Sequence, residues 1–176
     1  MEHTTVVAWI FSLMTFLSPP ERITSQPQIT GWAETLEQRT ERYESIAKDI
    51  YEVVYSAEKL PYRGKRGRAY TSALLIAIAF MESGFAHDVD KGPCYRGGGF
   101  RNRCDGGLSA GLFQTRLGAG ETLLSIHGVD GLKQADLFAD RKMQVRVALH
   151  MVVRSFRTCR LLGPESALNV YSSGSC

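Results

Sequence analysis

An uninterrupted apolar run, Ala73 to Met81, constrains the fold more than any other part of this 176-residue chain. A helix over residues 70–82 would be apolar on nearly every side, and a helix of that kind has to be buried at the centre of a domain. The run stops at Glu82. A carboxyl group held against an apolar wall loses hydration, which favours its protonated form. The pattern predicts a central helix that ends in either a neutral acid or a solvated carboxylate.

Amphipathic patterns on both sides of the run supply helices that could cover it. Between residues 32 and 60 apolar residues recur at steps of three and four, with Thr30 as the expected N-cap and Pro61 as the expected end. The charged residues expected on the solvent face of this helix are Glu34, Glu37, Arg39, Glu41, Arg42 and Lys48. Further helices are predicted over 140–156 and 164–174. No strand pattern of any length is present, so the predicted class is mostly α.

Length, composition and charge exclude several functional classes. The length suits one domain, and 44% hydrophobic with 22% charged residues is ordinary for a globular protein. A net charge of +3 is far from the profile of a nucleic-acid-binding protein, so we expect no nucleic-acid partner. His87, His127 and His150 lack ligand-like spacing with one another or with cysteine. We therefore expect no metal and no cofactor.

The N-terminal segment carries an apolar stretch, "VVAWIFSLMTFL" at residues 6–17, of signal-peptide length. It is short for a membrane span. No Lys or Arg precedes it and no A-x-A site follows it. We interpret residues 1–25 as a signal peptide or membrane anchor with a linker, and residues 26–176 as the domain. The expected location is then the periplasm or cell envelope; a simple buried helix is the alternative interpretation.

The four cysteines form an even set without a C-x-x-C pair: Cys94, Cys104, Cys159 and Cys176. Two disulfides in an exported protein are expected, most simply Cys94–Cys104 and Cys159–Cys176. Four cysteines permit three connectivities, and four buried thiols in a cytosolic protein are the alternative. Residues 87–108 read as a glycine-rich, irregular loop, and the first pair would staple its middle.

Three short motifs follow the apolar run in sequence. They are Glu82-Ser83, "SAGLFQT" at 109–115 and "YSSG" at 171–174. Small residues such as Ser109 and Gly111 let the backbone approach a ligand closely. Phe113 and Gln114 offer an apolar surface and an amide, and the Tyr171 phenol can form a hydrogen bond with a carboxyl group or a sugar. Taken singly, "GLFQ" also fits a turn, and Tyr171 fits a half-buried aromatic.

The order of the motifs resembles the lysozyme-like lytic transglycosylases, the group of soluble lytic transglycosylases and goose-type lysozymes that cut peptidoglycan. In that family an apolar helix ends in Glu-Ser, a Gly-Leu-Met-Gln motif follows, and a Tyr-Asn-Ala-Gly-like motif closes the site. Here Phe113 replaces the methionine, and Ser172-Ser173 replaces Asn-Ala. The resemblance covers about residues 32–176. It implies a lysozyme-like single domain with the 87–108 loop beside an active-site groove.

The resemblance also implies a role for each matched residue. Glu82 would act first as acid and then as base in cleaving the MurNAc–GlcNAc β-1,4 bond, leaving a 1,6-anhydroMurNAc end without any cofactor. Ser83 would support the helix end, and Tyr171 would help to hold Glu82. The residues implied to line the glycan groove are Ser109, Gly111, Phe113 and Gln114.

Two other functions fit the same motifs. Goose-type lysozymes hydrolyse the bond with an aspartate placed before Gly-Leu-Met-Gln, and Asp105 has that position here, with Asp88 and Asp90 as further candidates. The case for Asp105 has a simpler alternative, because its neighbour is glycine and Asp-Gly is a common turn pair. The alternative of another class is an inactive peptidoglycan-binding or envelope-scaffold protein. The partners implied are peptidoglycan strands, together with a cell-envelope assembly or a phage lysis or entry machinery.

Overall fold

The computed structural model describes residues 3–23, 31–92, 109–116, 131–173 and 175–176. It confirms the mostly helical class. The α-helices are α1 (His3–Leu17), α2 (Pro20–Ile23), α3 (Leu36–Ser56), α4 (Gly67–Ser83), α5 (His87–Asp90), α6 (Gln134–Ala139), α7 (Arg141–Cys159) and α8 (Asn169–Ser173), with a 3₁₀ turn at Pro164–Ser166. Two strands, β1 (Ser109–Ala110) and β2 (Thr115–Arg116), pair antiparallel.

Helix α4 contains the apolar run and is central, as the sequence predicts. It packs against α1, α3 and α7. Leu75, Ile76 and Ala79 are at most 1% exposed. One side of the helix nevertheless reaches the surface, because Met81 is 80% exposed. The carboxyl end of α4 therefore lies at the edge of the core, where Glu82 can meet both protein and solvent.

Helix α1 packs onto α3 and α4. Its inner face, formed by Val6, Ile10 and Met14, is at most 1% exposed and belongs to the same hydrophobic core as α4. Ser18 follows α1 directly, and its hydroxyl accepts a hydrogen bond from the Tyr43 hydroxyl at 3.2 Å. Among the described residues, none of the helices has the length and apolar character that crossing a membrane requires. The signal or anchor function and the boundary at residue 25 stay predictions.

The ends of α3 differ from the expected ones. Its N-cap is Thr35, whose side chain accepts a hydrogen bond from the Gln38 backbone N–H at 3.1 Å. Gln38 in turn accepts from the Thr35 N–H at 2.9 Å, which completes a capping box. Thr30, the expected N-cap, lies outside the described residues. The helix ends at Ser56, before Pro61. It therefore begins later and ends earlier than the sequence predicts.

Half of the charged residues predicted for the solvent face are exposed, namely Glu37, Glu41 and Lys48, and the prediction was wrong for the other three. Glu34, Arg39 and Arg42 are 8% exposed or less. Arg42 donates two hydrogen bonds to the Glu34 carboxylate, at 2.6 and 2.7 Å. Arg39 donates to the Pro20 carbonyl at 2.8 Å. Sequence periodicity cannot show this, because the partners come from other segments.

A second buried ionic group joins α5, α3 and α7. The Arg141 guanidinium donates to the fully buried Asp90 carboxylate at 2.6 Å and to Asp49 at 3.1 Å. It also donates to the Ser45 hydroxyl at 2.8 Å. Arg42 approaches the same Asp90 carboxylate at 3.8 Å, which connects this group to the Glu34 pair. The first residue of α7 is thereby fixed against α3 and α5.

The sequence did not predict the short strands and the short helices. The pair β1–β2 encloses Gly111–Gln114, and two-residue strands are too short to produce an alternating pattern. Helix α5 lies inside the segment predicted as irregular, and α6 was not predicted. Helix α7 starts at Arg141 because the Asp140 side chain caps it, accepting from the Met143 N–H at 3.2 Å.

The predicted disulfide Cys159–Cys176 is confirmed, with the two Cα atoms 5.4 Å apart. It ties the C-terminus to the end of α7 and so closes the segment that contains α8. A crosslink over 17 residues restricts the unfolded chain and stabilises the fold by about 3 kcal/mol. Cys94 and Cys104 lie outside the described residues, so the second pairing stays a prediction.

We predict that Arg141→Met lowers the free energy of unfolding by about 3–5 kcal/mol, because it leaves the buried Asp90 charge without its main partner. Urea denaturation of the full-length protein measures the change. Arg146→Met is the matched control on the same helix. Its side chain is exposed, so it should change stability by at most about 0.5 kcal/mol. Equal losses in the two variants would contradict the importance of this ion pair.

Candidate functional site

The end of α4 presents Glu82 in a fixed position. Gly84 follows in the left-handed conformation (φ 57°), and its N–H donates to the Phe80 carbonyl at 2.8 Å. The buried Ser83 hydroxyl donates to the Ala79 carbonyl at 2.6 Å and accepts from the Phe85 N–H at 3.1 Å. Ser83 therefore braces the helix end that carries the acid, although its side chain does not face solvent.

The Glu82 carboxyl has an unusual electrostatic environment. Its side chain is exposed enough to meet a ligand. Even so, neighbouring protein atoms remove part of its hydration, and this desolvation raises its pKa above the ordinary glutamate value. A carboxyl group that is both accessible and biased towards its neutral form can donate a proton.

The Gly111–Gln114 motif forms a tight turn between β1 and β2. Gly111 has φ 73° and Gln114 has φ 43°, and the Gln114 N–H donates to the Gly111 carbonyl at 3.0 Å. The Gln114 side-chain amide donates to the same carbonyl at 2.9 Å. A positive φ is costly for a residue other than glycine and persists only where the surroundings enforce it. The turn is therefore held in one shape.

Gln144 of α7 anchors this turn through its side-chain carboxamide. Its side-chain oxygen accepts a hydrogen bond from the Leu112 N–H at 2.8 Å. Its amide nitrogen donates to the Asp90 carbonyl at 2.9 Å and to the Leu137 carbonyl at 2.7 Å. The carboxamide, 1% exposed, thus connects three separate segments. A Cβ atom at Gly111 would overlap that carboxamide, so glycine is required there for close approach as well as for its φ.

Tyr171 of α8 brings the third motif to the other two. Its hydroxyl donates to the Phe113 carbonyl at 2.8 Å, and its backbone N–H donates to the Ser155 hydroxyl at 3.3 Å. Burial, and secondarily the negative charge of Glu82, raise the pKa of Tyr171 far above its ordinary value. The phenol therefore stays protonated and acts as a donor. The effect of the Glu82 charge on the Tyr171 pKa places the carboxyl group within electrostatic range of the phenol.

The structure joins Tyr171 to the Gly111–Gln114 turn by a hydrogen bond and assigns Phe113 a place other than the predicted one. The Phe113 side chain is 1% exposed and packs in the hydrophobic core, so it offers no surface for a ligand. Ser109 and Gln114 are half-buried and remain at the surface beside the turn. Phe113 contributes to the site through its backbone carbonyl, because the turn directs its ring inwards.

Several residues of the predicted site and disulfide lie outside the part of the chain that the structure describes. Asp105, the candidate second carboxylate, lies outside the described residues, as do Cys94, Cys104 and Gly174. Within the described ranges, no group of three or more His, Cys, Asp or Glu side chains is arranged to hold a metal ion. The chemistry available from the described site is that of a single acid, a phenol and backbone carbonyls.

Sequence reasoning missed Gln144. A signal was present, because Gln144 lies at the centre of the α7 face that the pattern over 140–156 assigns to the core. Burying an amide in the middle of an apolar face is unfavourable unless the amide forms hydrogen bonds with other protein groups. Which backbone groups it meets depends on β1, α5 and α6, and no pattern within α7 contains that information.

The chain was compared with protein-family models, with curated protein sequences and with solved structures, and none of the three comparisons finds a match. The resemblance to the lytic transglycosylases consequently depends on the sequence motifs alone.

We predict that Gly111→Ala destabilises the fold more than Gly131→Ala does. Both glycines have positive φ, and an alanine there costs about 1–2 kcal/mol. At Gly111 the added methyl also meets Gln144, which adds about 1–3 kcal/mol, whereas a Cβ at Gly131 meets nothing. Chemical denaturation of the two variants measures the difference; equal losses would refute the proposed contact.

Proposed function

We propose that this chain is a peptidoglycan lytic transglycosylase that cleaves the MurNAc–GlcNAc β-1,4 bond, with Glu82 as its catalytic residue. The observation that carries the proposal is an accessible carboxyl with a raised pKa whose charge acts on Tyr171, together with the hydrogen bond from the Tyr171 hydroxyl to the Phe113 carbonyl. That hydrogen bond joins the second and third motifs, and the electrostatic effect of Glu82 relates the first motif to the same phenol. This convergence supports a catalytic function better than any single motif does.

The proposed reaction needs one acid that acts twice. The neutral Glu82 carboxyl donates its proton to the glycosidic oxygen as the bond from that oxygen to the anomeric carbon breaks. The resulting carboxylate then accepts the proton of the MurNAc 6-hydroxyl while that oxygen bonds to the anomeric carbon. The products are an anhydro end and a new free hydroxyl, and Glu82 is again protonated. No water is consumed, which distinguishes the reaction from two-carboxylate hydrolysis.

The surroundings of Glu82 fit both halves of this cycle. Desolvation favours the neutral carboxyl in the first step. The bond from Tyr171 to Phe113 and the anchoring of Leu112 by Gln144 give the adjoining turn a rigid frame. Ser109 and Gln114, half-buried at that turn, are the described residues proposed to contact the glycan.

An exported location belongs to this proposal, since peptidoglycan lies outside the cytoplasm. The Cys159–Cys176 disulfide supports it, because such bonds form and persist mainly in oxidising compartments. The proposed partner is the glycan strand itself. A cell-envelope assembly or a phage lysis or entry machinery is the proposed biological context.

We predict that Glu82→Gln keeps the fold and lowers cleavage about 10²–10⁴-fold, because glutamine cannot donate the proton. The full-length oxidised protein is incubated with purified peptidoglycan, and soluble fragments are analysed by mass spectrometry. Glu37→Gln, an exposed glutamate on α3, is the matched control and should retain full activity.

The masses of the products separate the candidate reactions. Fragments lighter by one water than reducing muropeptides support the transglycosylase. Reducing ends would instead establish hydrolysis and direct attention to Asp105. Binding to sacculi without any product that depends on Glu82 would favour a glycan-binding or scaffold protein.

We predict that kcat/KM falls as pH rises through the pKa of Glu82. A raised pKa keeps the acid protonated to higher pH, so activity persists below that pKa and is lost above it. Tyr171→Ala removes a neighbouring ring, rehydrates Glu82 and should move this loss to lower pH. Tyr171→Phe keeps the ring and should leave its position nearly unchanged. A pH–rate profile of the three proteins measures this, and superimposable profiles would contradict it.

A further inference from the structure

A basic groove lies between the C-terminal half of α3 and the C-terminal half of α7. It consists of two adjoining open cavities that share Ala57, Lys59, Val153 and Arg157. Apolar side chains form its floor, among them Val53, Leu149, Val153 and Phe156. We call this concave surface the basic groove.

The sides of the groove are strongly cationic. Helix α7 contributes Arg146, Arg154 and Arg157, and Arg160 follows the last residue of this helix. Lys59, Arg63 and Arg68 come from the connection between α3 and α4 and from the start of α4. Glu58 is the one carboxylate among the lining residues of the two cavities. Seven cations and one anion give this surface an excess of positive charge.

Three of these cations form no ion pair that holds the fold together. In the part of the chain that the structure describes, Arg146, Arg157 and Arg160 form no ion pair with a carboxylate, and all three are exposed. Buried arginines elsewhere, such as Arg42 and Arg141, donate hydrogen bonds to carboxylates. The groove therefore presents positive charge that is available to a ligand.

The basic groove is separate from the site around Glu82. An α-helix turns by about 100° per residue. On α7, Gln144 and Ser155 point to one side, where they bond Leu112 and Tyr171. Arg146, Val153 and Arg157 project from the opposite side. A ligand in the groove would consequently leave the candidate catalytic surface uncovered.

We propose that the basic groove binds an acidic, amphipathic helical segment of a partner protein. The apolar floor between cationic sides matches a helix that carries leucine-like residues on one face and carboxylates on its flanks. The distance along α7 from Arg146 to Arg160 is about 21 Å, the length of a helix of about 14 residues. The inference does not depend on the proposed enzymatic function.

The shape of the groove favours this occupant over other anions. A lipid bilayer is flat and would contact the cationic rims without reaching Val153 or Phe156 on the floor. A phosphate polymer would pair with the cations and leave the floor hydrated. Only a ligand with both carboxylates and an apolar stripe uses the whole surface, and burial of that stripe adds about 25 cal/mol per Å².

The test uses a fluorescein-labelled peptide of two heptads, with leucine at the apolar positions and glutamate on the flanks. Fluorescence anisotropy measures its binding to the full-length protein at low and moderate salt. We expect binding that weakens with salt, since the charges are at the surface. A peptide of the same composition with scattered leucines should bind at least tenfold more weakly, because it cannot place them together on the floor.

Matched variants locate the binding site. Arg146→Glu/Arg157→Glu should weaken binding at least tenfold, and Arg146→Gln/Arg157→Gln should have a smaller effect of the same direction. Lys48→Glu/Lys133→Glu changes the net charge equally at two exposed positions away from the groove and should alter binding less than twofold. Circular dichroism and thermal melting verify that each variant is folded.

Three outcomes would overturn the proposal. One is equal weakening by the two charge-reversed pairs, which would mean that only net charge matters. Another is equal binding of the two peptides, or no binding of either. The third is binding of phosphatidylglycerol vesicles or of oligo-dT that requires Arg146 and Arg157, without binding of the amphipathic peptide. That result would assign the groove to a membrane surface or to a nucleic acid.

Discussion

The contact between Asp90 and the first turn of α7 is the constraint on which the rest of this structure depends. The Asp90 carboxylate accepts a hydrogen bond from Arg141. The Asp90 backbone carbonyl accepts another from Gln144, which lies three residues after Arg141. Two faces of one short helix, α5, are thus tied to α7 by a charge pair and an amide. Gln144 also accepts a hydrogen bond from the Leu112 N–H, and this bond positions the Gly111–Gln114 turn. Removing either partner would leave a buried polar group unpaired, which costs more than the bond contributes when it is present.

The candidate site combines this rigidity with local conformations that are unfavourable on their own. Gln114 has a positive φ, and a carboxyl group at the end of an apolar helix has lost part of its hydration. The positive φ of Gln114 is tolerated because hydrogen bonds to other segments determine the backbone of its turn. The desolvation of Glu82 comes from the protein atoms packed around it. The raised pKa is therefore a property of the packed site, since it arises from desolvation by neighbouring segments.

Helix α7 has two different functions on its two sides. The side with Gln144 and Ser155 is buried and organises the candidate catalytic surface through hydrogen bonds. The side with Arg146 and Arg157 is exposed and lines the basic groove. Because one rigid helix connects them, a partner bound in the groove would be held at a defined distance from Glu82.

The sequence by itself determined the class, the central helix and the position of Glu82 at its end, and it offered Cys159–Cys176 as part of the simplest of three possible connectivities. These features follow from local periodicity, from an apolar run and from cysteine parity, which are all visible in one dimension. Only the tertiary structure decided that Arg42 and Glu34 are buried, that the Phe113 ring points inwards, and that Gln144 joins three segments. The physical reason is that a polar side chain can be buried only where its partners are, and these partners come from distant parts of the chain.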